Sequence, residues 1–191
     1  MFDTPTPVVV SLAMLALTAV GAYLTGRRRE ARQKAIELET SLREVLDDLG
    51  VFPSPSVDEV DREHIEAALS EAIPNYDDSA TIETVYADGR YLAPAAADVW
   101  LLADLAGGVS WLPYRPERFD CEQFARGFGV LSALVAGTNT VGVIHDWSGR
   151  HAYNVIVTAE QTVQFYDPYE GEFVAIGGTG KYRLENALIL F

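Results

Sequence analysis

The sequence predicts an α+β domain in which helices come first and an antiparallel β-meander follows. Before residue 137 the apolar residues recur mainly at the spacing of helices with one buried face. From residue 140 onward they form short runs rich in Val, Ile, Phe and Tyr, which is typical of strands. Glycine and polar residues separate these runs, as hairpin connections require. A group of helices followed by a group of strands indicates an α+β domain.

Composition and charge limit the class of protein. The 191 residues suffice for one domain with accessory segments but are few for two independent cores. There are 28 acidic and 14 basic residues, a net charge of −14, and the only lysines are Lys34 and Lys181. Because 49% of the residues are hydrophobic, the chain is not compositionally disordered. This balance fits either an ordinary acidic bacterial protein or a halophile protein, whose acidic surface stays hydrated in salt.

The N-terminal segment predicts a single-pass membrane anchor. Residues 8–24 carry no charge, and the uncharged flanks extend the segment to the ~20 residues that a spanning helix needs. Asp3 precedes the segment and Arg27, Arg28 and Arg29 follow it, so the positive-inside rule places the rest of the chain in the cytoplasm. A cleaved signal peptide is the alternative, but it requires a positive region before the apolar run. In a viral protein the same segment would lie in the virion envelope.

The basic cluster after this segment is therefore explained by the membrane, and we expect no nucleic-acid partner. The single cysteine excludes an intramolecular disulfide. We divide the chain into an anchor with its basic flank over residues 1–27, a helical stalk or accessory helices over residues 28–80, and an α+β domain over residues 81–191, which the resemblance described below implies to be papain-like.

The stalk is predicted to contain two helices. Apolar residues between positions 30 and 49 form one stripe that ends at Gly50. Ser56 is a candidate N-cap, with Glu59 completing a capping box, for a second helix that ends before Pro74. Residues 81–91 favour neither helix nor strand.

The α+β domain is predicted to open with a helix over residues 95–106, which ends at Gly107 and Gly108. A second, buried helix starts after Asp120, a preferred N-cap residue, and ends at Gly137. Five strands are expected after it, over residues 140–147, 152–158, 162–166, 172–176 and 187–191.

Cys121 at the start of the buried helix is the candidate nucleophile. Unpaired backbone N–H groups and the positive end of the helix dipole point at a side chain in this position. His151 lies at the start of a strand, where it could take up the thiol proton, and Asp167 on the next strand could orient its ring. The alternative is a buried structural thiol. The flanking Asp120 and Glu122 oppose thiolate formation unless they turn away or bind a cation.

Two other polar residues lie near this candidate site in the sequence. His145 is the rival base, since it lies near the end of the preceding strand. Asn154 comes three residues after His151 and therefore belongs on the opposite face of a regular strand.

Three short motifs resemble the papain-like domain of the Marasmius oreades agglutinin and related single-domain proteins encoded by phages. They are Phe119 to Ala125, His151 to Asn154 and Tyr166 to Pro168, and the resemblance covers about residues 86–191. It implies a papain-like fold with Cys121 as nucleophile, His151 as base and Asp167 as orienting residue. The fungal protease activity depends on calcium, which implies Asp120 and Glu122 as candidate cation ligands.

The sequence also departs from the family pattern. Asp167 replaces the usual Glu, and Tyr169 stands where Gln is typical. The glutamine that papain-like enzymes carry shortly before the cysteine is missing, so the oxyanion hole would consist of backbone N–H groups at the helix start. The family's lectin module has no counterpart here, and sugar binding is therefore not implied.

Together these observations predict a membrane-anchored, papain-like cysteine hydrolase, most simply a peptidase with a Cys121–His151–Asp167 triad. Its substrate would be a peptide or protein, no cofactor would be required, and calcium is an additional expectation. The alternative is a catalytically inactive membrane- or virion-associated interaction protein that retains the fold. A cell-wall amidase or endopeptidase of the NlpC/P60 type is a third class, which a cytoplasmic domain disfavours. The oligomeric state is left open.

Overall fold

The structure is a computed structural model, and it describes Lys34, residues 55–74, Tyr76 and residues 81–110 and 112–191, without the side chains of residues 105–110. The chain divides into two units, Met1–Ser54 and Pro55–Phe191. The predicted membrane segment and the predicted helix over residues 30–49 lie outside the described residues. Within the described residues, no helix combines the length and the apolar character that crossing a membrane requires.

The unit Pro55–Phe191 is of the α+β class, as predicted. Its α-helices are α1 (Arg62–Ala72), α2 (Val99–Ser110) and α3 (Cys121–Leu131), with a 3₁₀ turn before α2 and a π-helical turn after α3. Its strands are β1 (Val57–Asp61), β2 (Ile82–Val85), β3 (Arg90–Pro94), β4 (Val141–Asp146), β5 (His151–Val157), β6 (Val163–Asp167), β7 (Glu172–Val174) and β8 (Ala187–Leu190).

The strands form two sheets. β1 and β3 pair as an antiparallel ribbon, and the other strands form a six-stranded sheet in the order β2-β8-β4-β5-β6-β7. Strands β4 to β7 form the predicted antiparallel meander. β8 differs from a simple meander, because residues 175–186 carry the chain back so that β8 pairs with β4 and, in parallel, with β2.

The structure corrects the start of the second predicted helix. Residues 57–61 form β1, because they pair with β3 from Val57 opposite Pro94 to Asp61 opposite Arg90. The helix begins only at Arg62, where the carboxylate of Asp61 accepts a hydrogen bond from His64 N at 2.9 Å. Ser56 does not cap it. Residues 55–80, which we placed in a stalk, thus contribute a strand and a helix to the same unit as the sheet.

The helix before the cysteine also differs from its prediction. Residues 96–98 form a 3₁₀ turn, and α2 continues through Gly107 and Gly108 to Ser110. Glycine lowers helix stability by only about 1 kcal/mol, so it does not end a helix by itself.

Helix α3 begins as the sequence predicts. Asp120 is its N-cap, with Oδ1 accepting from Glu122 N at 3.2 Å, and Gln123 Oε1 accepts from Asp120 N at 3.0 Å. Gly137, in the left-handed conformation with φ 70°, ends the π-helical turn that follows α3. The start of α3, and with it Cys121, is therefore held by a reciprocal capping box.

The sheet buries apolar side chains on both faces. On one face Tyr153 and Val155 of β5 belong to a core that includes Ile65 and Leu69 of α1. On the other face Ile156 packs in a core that includes residues of α2 and α3. Alternate residues of β5 therefore serve two cores, as the strand period requires.

The β4–β5 turn is held by a close contact with the segment 175–186. The buried Asp146 carboxylate accepts hydrogen bonds from Gly149 N and Leu184 N, each at 2.8 Å. A Cβ on Gly149 would lie 2.1 Å from the carbonyl oxygen of Lys181. Only glycine allows these two backbone segments to approach so closely. The contact matters for the site because β5 begins with His151 directly after this turn.

We expect Gly149→Ala to lower the free energy of unfolding by about 2 kcal/mol or more, because the methyl group would meet backbone rather than a movable side chain. Gly180→Ala is the matched control, since nothing lies within 4 Å of its added Cβ. Its effect should stay below about 1 kcal/mol. Urea denaturation of both variants provides the measurement, and equal stabilities would contradict the close approach.

Candidate functional site

The fold brings the three residues of the predicted triad together. Cys121 is the first residue of α3, His151 the first of β5 and Asp167 the last of β6. His151 Nε2 lies 2.7 Å from Asp167 Oδ2, and the side chain of Cys121 lies close enough to His151 to raise the pKa of the histidine. Because Nε2 is engaged by Asp167, Nδ1 is the ring nitrogen left for the sulfur. The imidazole therefore lies between the carboxylate and the thiol.

Asp167 is a fully buried carboxylate with hydrogen-bond donors on both oxygens. Oδ1 accepts from the backbone N–H groups of Tyr169 and Glu170, at 3.0 and 3.2 Å. Oδ2 accepts from His151 and from the Tyr182 hydroxyl, the latter at 2.8 Å. Burial raises the pKa of Asp167, but the donors, led by His151 and Tyr182, outweigh it and lower the pKa to about 2. Asp167 is thus an anion at neutral pH.

His151 carries the matching positive charge. Burial lowers its pKa, but the hydrogen bonds to Asp167 and Cys121 and the charges of both groups raise the pKa of His151 to about 9. The ring is therefore an imidazolium at neutral pH. A cation beside a sulfur stabilises the thiolate, which is the nucleophilic form of cysteine.

The acidic residues beside Cys121 have other partners. The Asp120 carboxylate caps α3, and its second oxygen, Oδ2, accepts from Glu117 N at 3.2 Å. Glu122 lies 3.6 Å from an Arg126 guanidinium nitrogen and 3.9 Å from His145 Nδ1. Their charges are thus partly compensated by the helix start and by a neighbouring cation.

These contacts do not fit a calcium site at Asp120 and Glu122, because both carboxylates already have partners. The described part of the chain contains no group of three His, Cys, Asp or Glu residues that could hold a metal ion. The expected calcium stays a prediction, and we derive no chemical step through it.

His145, the rival base, lies beside Glu122 and not beside Asp167. Its Nδ1 faces Glu122 at 3.9 Å, and burial lowers its pKa. His151, by contrast, is the histidine that contacts both Asp167 and Cys121.

Asn154 connects the cysteine helix to the sheet. Its Nδ2 donates to the carbonyl oxygens of Ala125 and Gly142, both at 3.0 Å. The side chain is buried and its Oδ1 has no partner. It thus fastens α3 to β4 rather than joining the triad.

An aromatic cluster adjoins Cys121. Tyr114 and Tyr169 are 42% and 40% exposed, and their ring centroids lie 5.0 Å apart. The buried Phe124, which is one helical turn after Cys121, lies 5.1 Å behind Tyr169. Burial and then the charge of Cys121 raise the pKa of Tyr114, so the two residues are neighbours. These two tyrosines form an exposed aromatic surface beside the thiol, which we call the Tyr114–Tyr169 surface.

Sequence reasoning missed Tyr182 altogether. It lies between β7 and β8 in a segment without apolar periodicity, and no motif marks it. Only the three-dimensional arrangement reveals its contact with Asp167.

Comparison with known proteins gives structural matches only. No protein-family model matches the chain, and no curated protein matches it. A solved structure of PSL1a in complex with E64 matches with a TM-score of 0.51 and 24% identity, over 70% of this chain and 50% of that chain. A second is the Polyporus squamosus lectin bound to the human-type influenza-binding epitope Neu5Aca2-6Galb1-4GlcNAc, with a TM-score of 0.47 and 23% identity, over 70% and 49%.

The chain thus spans about half the length of these structures, and at this identity the likeness to PSL1a shows a shared fold alone. A fold shared with PSL1a agrees in part with the predicted resemblance, but it does not test the papain-like assignment. The classification as a hydrolase and cysteine protease was wrong, since neither a family model nor a curated protein supports it. No membrane-crossing helix occurs in the described residues, and the predicted anchor, which lies outside them, stays a prediction.

The charged His151–Asp167 pair predicts a pH-dependent stability. The pKa of His151 is raised from 6.5 to about 9, so its stabilisation is complete below pH 6.5 and disappears as the pH rises through 9. We expect the unfolding free energy to fall between pH 7 and pH 9.5 by on the order of 1–3 kcal/mol more than in Asp167→Asn. Urea denaturation at both pH values measures this difference. Parallel losses in the two proteins would contradict the pairing.

Proposed function

We propose that this domain is an interaction protein whose partner-binding face contains a nucleophilic thiol, Cys121. The partner would be a protein that presents a carbonyl carbon to the sulfur. The observation that carries the proposal is the position of His151, with Nε2 2.7 Å from Asp167 Oδ2 and with Cys121 close enough to raise the pKa of the histidine. The papain-like form of the α+β fold, inferred from sequence motifs, is part of the same proposal.

The proposed chemistry is acyl transfer to Cys121. The thiolate attacks the carbonyl carbon, a C–S bond forms, and the π electrons move to the oxygen. When this intermediate collapses, the bond to the leaving group breaks, and the Nδ1 proton of His151 passes to the leaving group. The product is a thioester on Cys121. The Cys121 backbone N–H, at the first position of α3, is the donor best placed for the developing oxyanion.

Asp167 would act by fixing the ring of His151. Its hydrogen bond to Nε2 leaves Nδ1 to face the sulfur, and its negative charge stabilises the imidazolium. Asp167 itself keeps its charge throughout, because four hydrogen bonds hold its oxygens.

The Tyr114–Tyr169 surface supports the binding part of the proposal. Exposed tyrosines are enriched at protein interfaces, where the ring buries apolar area and the hydroxyl stays hydrated. The ring of Phe124 packs against the rings of Tyr114 and Tyr169, and these contacts hold the two exposed rings in place. A partner seated on these rings would lie next to the sulfur.

We expect Cys121 to react with electrophiles at pH 6 at least 10-fold faster than the same cysteine in the urea-unfolded protein, because the folded site favours the thiolate. Iodoacetamide and p-nitrophenyl acetate are suitable probes, with the added mass located by peptide mass spectrometry. His151→Ala should lower the rate by roughly 10²-fold, whereas His145→Ala should change it less than about 3-fold.

Cys121→Ala controls for labelling elsewhere, and it should abolish the mass increase. Equal rates in the folded and unfolded protein, or equal losses in both histidine variants, would exclude the proposed nucleophile.

Carbohydrate binding is a second candidate, which the exposed Tyr114–Tyr169 surface favours because aromatic rings can stack on the apolar faces of sugars. If it is correct, a glycan microarray should detect binding that Tyr114→Ser and Tyr169→Ser each weaken about 10-fold or more, since ring contacts supply the affinity. Trp100→Ser is the control, as an exposed aromatic residue on α2. Absence of glycan binding by the unmodified protein would remove this candidate.

A further inference from the structure

We propose that Tyr182 is a positioning residue that acts on His151 through Asp167, so that the site has four members rather than three. The Tyr182 hydroxyl donates to Asp167 Oδ2 at 2.8 Å, and His151 Nε2 donates to the same oxygen at 2.7 Å. The two rings also meet edge to face, with centroids 5.6 Å apart. This role rests on the proposed reactivity of Cys121, since it concerns how the base is held.

A second donor on Oδ2 has two physical consequences. It limits rotation of the carboxylate about the Cβ–Cγ bond, because each oxygen then has its own fixed donors. It also stabilises the charge of a side chain that is fully buried, where an unpaired carboxylate would take up a proton. A protonated Asp167 could no longer support the imidazolium of His151.

Tyr182 is itself held in place by its surroundings. Its carbonyl oxygen accepts from Gly177 N at 2.7 Å, and its ring meets that of Tyr153 edge to face at 5.2 Å. The ammonium of Lys181 lies 5.1 Å above the same ring and 2.6 Å from Glu170 Oε1. The hydroxyl therefore reaches Asp167 from a packed segment, and the contact does not depend on a freely rotating side chain.

The charged and titratable groups around Asp167 come from three parts of the chain. His151 approaches from β5, with Cys121 of α3 behind it. Tyr182 and Lys181 approach from the segment 175–186, with Lys181 Nζ 3.5 Å from Oδ2. The Glu170 carboxylate, from the turn after β6, pairs with Lys181. The two donors in that segment are the Tyr182 hydroxyl and the Lys181 ammonium, and the hydroxyl is the nearer of the two to Asp167 Oδ2.

The test is the rate of Cys121 alkylation by iodoacetamide between pH 1.5 and pH 9, a range that includes the titration of Asp167. Loss of the Tyr182 donor should let Asp167 take up a proton at higher pH, so the acid limb of the profile should move upward. For Tyr182→Phe we expect a shift of at least about 0.5 pH unit, which is about a 3-fold lower rate on that limb. The rate at pH 7 should change less than about 2-fold, because Asp167 is ionised there in both proteins.

Tyr153→Phe is the matched control, because its hydroxyl lies 3.5 Å from Asp146 and not at Asp167. It should leave the acid limb in place. Circular dichroism at each pH shows whether the proteins stay folded. A merely structural role of Tyr182 would lower the rate equally at all pH values, and that result would overturn the proposal.

Lys181→Gln keeps the test decisive if Tyr182→Phe does not fold. Lys181 is largely at the surface and its ammonium lies 3.5 Å from Oδ2, so its loss should shift the acid limb in the same direction by a smaller amount. A profile that superimposes on that of the unmodified protein would count against the proposal. Failure of the proposed function would give a different result from failure of the Tyr182 proposal. In that case Cys121 would react no faster in the folded than in the unfolded protein.

Discussion

The buried carboxylate of Asp167 is the group on which the site depends. A charge without partners in the interior would cost several kcal/mol, so its four donors are a condition for keeping it there. They come from β5, from the turn after β6 and from the segment 175–186. The four donors thus bring three parts of the chain to one point. The position of His151 beside Cys121 is a consequence of this convergence, and it would not follow from β5 alone.

The strand order explains how that convergence is achieved. β8 pairs with β4, so the chain must return from β7 across the sheet, and the returning segment passes the end at which β5 begins. Gly149 lets this segment lie against the β4–β5 turn, and Leu184 N is fixed to Asp146. The path of the backbone therefore places Tyr182 beside Asp167. The sheet topology and the chemistry of the site are linked through one loop.

Local signals predicted the parts of the fold that depend on neighbouring residues. Asp120 as a cap and the five C-terminal strands follow from turn chemistry and periodicity, and the structure contains them. Residues 57–61 were missed because their strand exists only through pairing with β3, whose residues lie 29 to 37 positions further along the chain. The same limit applies to the site. Spacing suggested Cys121, His151 and Asp167, but Tyr182 and the partners of Glu122 are known only once distant segments meet.

The fold shared with PSL1a is compatible with the proposed reactive thiol, because a fold does not determine the chemistry of its sites. The argument for chemistry lies in the charges. A cysteine kept only for packing needs apolar neighbours, and a histidine beside it would be most stable when neutral. Here the pKa of His151 is raised to about 9 against the effect of burial, and a buried anion maintains that charge. Such opposed shifts within one hydrogen-bonded group are characteristic of sites that move protons. In the proposed function, a binding partner would reach that group over the exposed tyrosines beside the sulfur, so recognition and reactivity would share one face of the domain.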